Sequence, residues 1–174
     1  MLRIYGETVP LEDVVRARTI ALLQRHDLEL VLAVRPWQSA ELPGVVRVLR
    51  DAGIGCSVWP MLTDDEGRWA SAHNAASFTR FLRSTVDSLD AAGVLPREVL
   101  LDLEPPFAHA RAMAAGGGSS ARWFDLASAR PRQLAAPVLD AASAELASAV
   151  RSLHARSYRA EQARGLGASF GFVG

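Results

Sequence analysis

Lysine is missing altogether: all 19 basic side chains of this 174-residue chain are arginine. That absence excludes a lysine Schiff base, a pyridoxal phosphate anchor and a phosphate-loop lysine. Beside so much alanine, it points to a GC-rich coding bias more than to a binding adaptation. Cysteine is nearly missing as well. A single thiol, Cys56, forms neither an internal disulfide nor a cysteine-based zinc site, and its place in the apolar run Gly53–Trp59 suits a small core residue. No stretch approaches the roughly 20 apolar residues of a membrane span, so no membrane partner is expected.

Neither sign of charge is in excess. Formal net charge is zero, which gives the whole chain no electrostatic preference for nucleic acid or anionic lipid. Near the C-terminus Arg151, Arg156, Arg159 and Arg164 make a mildly basic tail. With no interleaved aromatic beyond Tyr158, no nucleic-acid partner is expected there. Gly116–Gly118 follows no strand and opens no helix, so it is not a dinucleotide loop, and no Gly-x-Ser-x-Gly elbow occurs. No motif implies a cofactor. Met1–Tyr5 runs straight into a strand-like pattern with no visible signal peptide, so a cytoplasmic location is expected, or a secreted one if a leader has been removed.

What is present is an ordinary globular balance of 49% hydrophobic and 22% charged residues. Four β-type runs stand out, Leu2–Gly6, Leu28–Val34, Ile54–Trp59 and Val99–Leu103. The second and fourth are nearly continuous aliphatic runs, as in parallel strands covered on both faces. Helical patterns lie between them. The first, Leu11–His26, has Thr8 as a candidate cap and Leu11, Val14, Val15, Arg18 and Leu22 along one stripe. A second, Glu41–Ala52, stops at Gly53; a third, Asn74–Ala92, carries Phe78, Phe81, Leu82, Val86 and Leu89 and stops at Gly93.

This alternation implies an α/β protein of parallel β/α units, of the half or truncated TIM-barrel type, with an open doubly wound sheet as the alternative. Residues 1–113 hold the four strands and three helices, and 114–122 form a flexible Gly/Ser linker. Residues 123–174 add to the same domain an Ala-rich helix, Pro131–His154, and a weak strand in Gly165–Gly174. The helix's apolar face is Val138, Leu139, Leu146, Val150 and Leu153. A half barrel leaves strand edges unpaired, so a homodimer or a missing second-half chain is the expected partner.

On a strand, residues two apart share a face, so Leu100, Asp102 and Glu104 point one way and Val99, Leu101 and Leu103 the other. Two carboxylates on one face of an aliphatic strand raise at least one pKa by mutual repulsion, as a general acid near neutral pH requires. Pro105 and Pro106 end the strand and hold Glu104 at the rim. The bland alternative is an Asp102 ion-paired inside the sheet and a solvated Glu104. Aromatics gather at strand ends: Tyr5 by the first, Trp37 past the second, Trp59 ending the third, Trp69 in the loop after it and Phe107 beyond the fourth. Flat rings stack on the C–H faces of sugars. Glu7 adds a third carboxylate after the first strand. Asp64 and Asp65 read as a solvated turn, His73–Asn74 as the start of a helix, and His26 and His154 as structural.

The run Leu101-Asp-Leu-Glu-Pro105 resembles the fourth-strand end of glycoside hydrolase (β/α)8 barrels. Its Asp-x-Glu spacing is similar to the end of the chitinase-like Asp-x-x-Asp-x-Asp-x-Glu signature and to the strand of lysozyme-like muramidases. Glu104-Pro105 is similar to the Asn-Glu-Pro of the large retaining glycosidase clan. The chain departs from these patterns at Leu100 and Arg97, where the chitinase signature has acids, and at Leu103, where the clan has Asn. The resemblance implies a carbohydrate substrate, Glu104 as general acid/base and Asp102 as its modulator, with Trp37, Trp59, Trp69, Tyr5 and Glu7 lining the substrate. Two other readings stay open: a non-catalytic truncated barrel that binds or assembles, and a metal-dependent isomerase or lyase using Glu104, His109 and Asp102.

Overall fold

The structure is a computed structural model and describes residues 2–103, 136–156 and 160–163. Five strands alternate with helices. Strand β1 is Leu2–Gly6, β2 is Leu28–Val34, β3 is Cys56–Pro60, β4 is Val99–Asp102 and β5 is Ala160–Ala163. Helices α1 (Leu11–Val14) and α2 (Ala17–Arg25) follow β1, α3 (Leu42–Asp51) follows β2, α4 (Ala75–Ala91) follows β3, and α5 is Ala136–Ala155. All pairings are parallel and the strand order is sequential, β1-β2-β3-β4-β5. A doubly wound sheet reverses its strand order partway, and no such reversal occurs among the described strands.

Sequential order with a constant crossover hand sends every helix to the same face. The packing agrees. Leu30, Leu32 and Val34 of β2 and Cys56 and Val58 of β3 share a core with Leu11, Val14, Leu23, Val45, Val46 and Leu49 from α1, α2 and α3. Val99 and Leu101 of β4 pack with Phe78, Leu82 and Val86 of α4 and Ala149 and Leu153 of α5. The alternate residues Val31, Ala33, Trp59 and Leu100 form a separate cluster with Met61, and no residue of a described helix belongs to it. One face of the sheet is therefore clad in helices, and the other carries Trp59 and, by alternation from Leu100, Asp102.

Helix ends follow local rules. After α3, Gly53 adopts φ +74° and its N–H meets the Arg50 carbonyl, while Ile54 N–H meets that of Leu49. Gly93, Asp90, Val94 and Leu89 repeat this pattern after α4. Both are the double-bonded glycine stop expected from the sequence.

Other expectations need correction. The single helix Leu11–His26 is two helices, because Arg16 is extended at φ −64° and ψ 140°. That break resets the helical phase, so Leu23 is buried and Leu22 is exposed. Thr8 is not the cap: Pro10 occupies that position, with no side-chain cap bond. On α5, Val138 and Leu139 are exposed, and Ala142, Ala149 and Leu153 are buried. Beyond Val138 and Leu139 the expected face holds: Leu146, Val150 and Leu153 pack with Ala149 against the cluster shared with α4. The described fifth strand is Ala160–Ala163, which has no strand-like pattern of its own and is held by pairing with β4. The expected strand in Gly165–Gly174 and the linker 114–122 lie outside the described residues. Cys56 is buried, and desolvation pushes its thiol up to about 12, so it stays protonated as a core residue. No described helix is long and apolar enough to cross a membrane.

Candidate functional site

Parallel strands that share one face bring their C-terminal ends to one rim. Register places Tyr5 beside Val31, and Ala33 beside Trp59, so Tyr5 and Trp59 lie on the helix-free face. Their rings meet edge-to-face with centroids 6.0 Å apart. Asp102, two residues beyond Leu100 on β4, alternates onto the same face and is half-buried. Glu104, Phe107 and His109 lie outside the described residues, so the Asp102–Glu104 pairing is not part of the described geometry.

The loop after β3 is built rather than loose. Thr63 and Glu66 bond each other side chain to side chain at 2.8 Å, and Gly67, at φ +98°, reverses the chain. Arg68 N–H then returns to the Thr63 carbonyl at 3.0 Å, and Leu62 N–H donates to the Arg68 carbonyl at 2.8 Å. Asn74 precedes α4 but turns its side chain back: its Nδ2 donates to the carbonyls of Glu66 and Trp69, and its Oδ1 accepts from Ser71. It ties the loop instead of capping the helix. Finally Ala70 N–H donates to the Asp102 carbonyl at 3.1 Å, and Ala70 bridges Leu103 in parallel. β3 and β4 themselves share only the Val58–Val99 register pair. Above that point the loop backbone takes the place of β3 beside β4 and sets Trp69 next to the end of the Asp102 strand.

Four charges sit at this rim. Arg68, held at φ +59°, donates from Nε and Nη2 to both oxygens of Asp64 at 2.8 and 2.9 Å, and from Nη1 to Glu7 at 3.0 Å. Its guanidinium lies 5.4 Å from the centre of the Trp69 ring, a cation–π contact. Arg35, the first residue after β2, donates from Nη1 to the Leu62 carbonyl at 2.6 Å and comes within 3.5 Å of Asp64. Burial, followed by the neighbouring Arg68 charge, holds Arg35 below the usual arginine pKa, while Asp64 and Glu7 act in the other direction. It remains a cation.

The rings expected to line a substrate divide into two kinds. Trp37, in the 3-10 turn Pro36–Gln38, and Tyr5 are exposed at 67% and 59%. Trp59 is only 9% exposed, and its indole N–H meets no acceptor among the described residues. Trp69 is half-buried beneath Arg68. Tyr5 and Trp37 can be stacked upon as they stand; Trp59 and Trp69 form walls. Glu7 is engaged by Arg68. His73 is exposed, and no group of three His, Cys, Asp or Glu among the described residues could hold a metal.

Sequence reasoning missed Arg35 and Arg68. Each had a signal: Arg35 lies between a buried strand and Pro36-Trp37, and Arg68 between Gly67 and Trp69. Comparison with protein-family models, curated proteins and solved structures found no match.

Proposed function

We propose that this sheet is of the half-barrel type and that its C-terminal rim binds a carbohydrate, which the chain hydrolyses with Glu104 as proton donor and Asp102 as its modulator. The observation that carries this reading is the one-sided sheet. Sequential parallel strands clad in helices on one face leave the opposite face to collect Tyr5, Trp59 and Asp102 at a single end. Ligand sites in barrel folds occupy that end, and exposed rings beside carboxylates suit sugar rings and their hydroxyls. In this reading Tyr5 and Trp37 stack on the sugar, Trp59 and Trp69 wall the site, and Glu7 completes the acidic rim.

The test is turnover and binding of an oligosaccharide panel by the whole chain and by Glu104→Gln. Hydrolysis should be abolished, by about 100-fold or more for loss of a general acid, with binding retained. Unchanged turnover would reject the assignment.

A second reading, an assembly module, is favoured by one observation. Edge strand β1 exposes Leu2, Ile4 and Tyr5, and its one charge, Arg3, is drawn inward to Glu29 and Glu98. Such an edge lacks the outward charges and prolines that protect strands from pairing. A solution mass of two chains that returns to one on Ile4→Lys, without sugar turnover, would favour this reading.

A further inference from the structure

Arg35 is a largely buried cation with few acceptors among the described residues. Its side chain is only 13% exposed, yet among the described residues one hydrogen bond alone is made from its five N–H donors, to the Leu62 carbonyl. Its nearest carboxylate, Asp64, stands at 3.5 Å, beyond a good hydrogen bond, and gives both oxygens to Arg68. Glu7 is bonded to Arg68 as well. Two cations and two carboxylates therefore balance in number, and among the described residues both carboxylates hydrogen-bond to Arg68 while Arg35 stands 3.5 Å from Asp64. Buried charges in proteins are ordinarily paired, because losing water without gaining acceptors is costly.

The remaining Arg35 nitrogens are not sealed from solvent: none is among the buried, unpartnered polar atoms of the described residues. A planar guanidinium with free donors matches the two oxygens of a carboxylate or the oxygens of a phosphate. Two residues on, Trp37 offers an exposed flat ring at the same strand end. An oxyanion beside a stacking ring describes a sugar that carries an acidic group.

We propose that Arg35, backed by Arg68, is an oxyanion subsite of the rim and that the carbohydrate recognised is an acidic sugar bearing a carboxylate. This rests on the carbohydrate reading above and adds a substrate class to it. The carboxylate takes the donors of Arg35 that Asp64 leaves unused, so the Asp64–Arg68 pair need not open.

The experiment is calorimetric titration of the whole chain at low salt with tetragalacturonate, cellotetraose and inorganic phosphate, repeated with Arg35→Gln and Arg35→Lys. Wild-type protein should bind tetragalacturonate more tightly than cellotetraose, and both variants should lose at least tenfold. Arg35→Lys guards against a folding artefact, because it keeps the charge and removes only the planar fork. Wild-type affinity in both variants, or equal affinity for the two tetrasaccharides, overturns the inference and leaves the carbohydrate reading standing. Arg35-dependent binding of phosphate without either sugar keeps the oxyanion subsite and removes the sugar. Binding of none of the three overturns the inference, and the carbohydrate reading then stands or falls on Glu104→Gln.

Discussion

The two ends of the helix-free face both hold clusters of arginine and acid, built in opposite senses. At the N-terminal end the acids are inside. Glu29 and Glu98 are buried, and Arg3 reaches both, at 3.2 and 2.8 Å, while Arg97 also pairs with Glu29. Gly55 leaves room for this, since a Cβ there would stand 2.9 Å from the Glu29 carboxylate. At the C-terminal end the arginines are inside, and Asp64 is more than half exposed. The lower cluster gives each buried carboxylate an arginine and reads as structure. In the upper one Arg35 makes a single side-chain hydrogen bond among the described residues, Arg68 is held at positive φ, and exposed aromatics stand nearby. Strain and incomplete pairing concentrate where ligands bind. The contrast teaches that two ion clusters of similar composition differ in the direction of burial, with acids inside at one end and arginines inside at the other.

Removing the key cation from each cluster should separate them most sharply. Arg3→Ala takes the shared arginine from two buried glutamates, leaving Glu29 to Arg97 alone, and should cost about 3 kcal/mol in urea unfolding. A loss under about 1 kcal/mol would erase the distinction between the ends. Gly67→Ala forces a side chain into positive φ, with its Cβ 2.9 Å from Asn74 Nδ2. It should cost about 1–3 kcal/mol, read as a lowered thermal midpoint; no change would mean that the loop is less fixed than its bonds indicate. The smallest effect is expected from Arg35→Gln. Lost desolvation and lost repulsion from Arg68 offset the bond to Leu62, leaving stability within about 1 kcal/mol of wild type. A loss as large as that of Arg3→Ala would make Arg35 a structural residue and dissolve the comparison.

Most of the fold was legible. β1 and β2 have the expected bounds, Leu2–Gly6 and Leu28–Val34, β2 because a continuous aliphatic run between turn residues leaves little choice and β1 because Leu2, Ile4 and Tyr5 form a short β-type run ended by Gly6. Gly53 and Gly93 marked their helix ends for a steric reason that is local. Features set by tertiary contact were not legible. Leu22 and Leu23 are adjacent, and only the extended Arg16 decides which faces inward. Ala160–Ala163 becomes a strand through its neighbour. At the site, alternation was enough to separate Leu100 from Val99 and Leu101, and with them the face of Asp102. The Arg35–Asp64–Arg68–Glu7 group joins positions up to 61 residues apart, and no local pattern announces such a closure.

The bond from Ala70 N–H to the Asp102 carbonyl also changes how the rim moves. A surface loop ordinarily opens on its own, far more often than the sheet beneath it. Here the loop backbone is a rung of the ladder beside β4, so exposing its amides means parting that strand's end as well. The rim thus shares the opening free energy of the sheet and breathes with it as one cooperative unit.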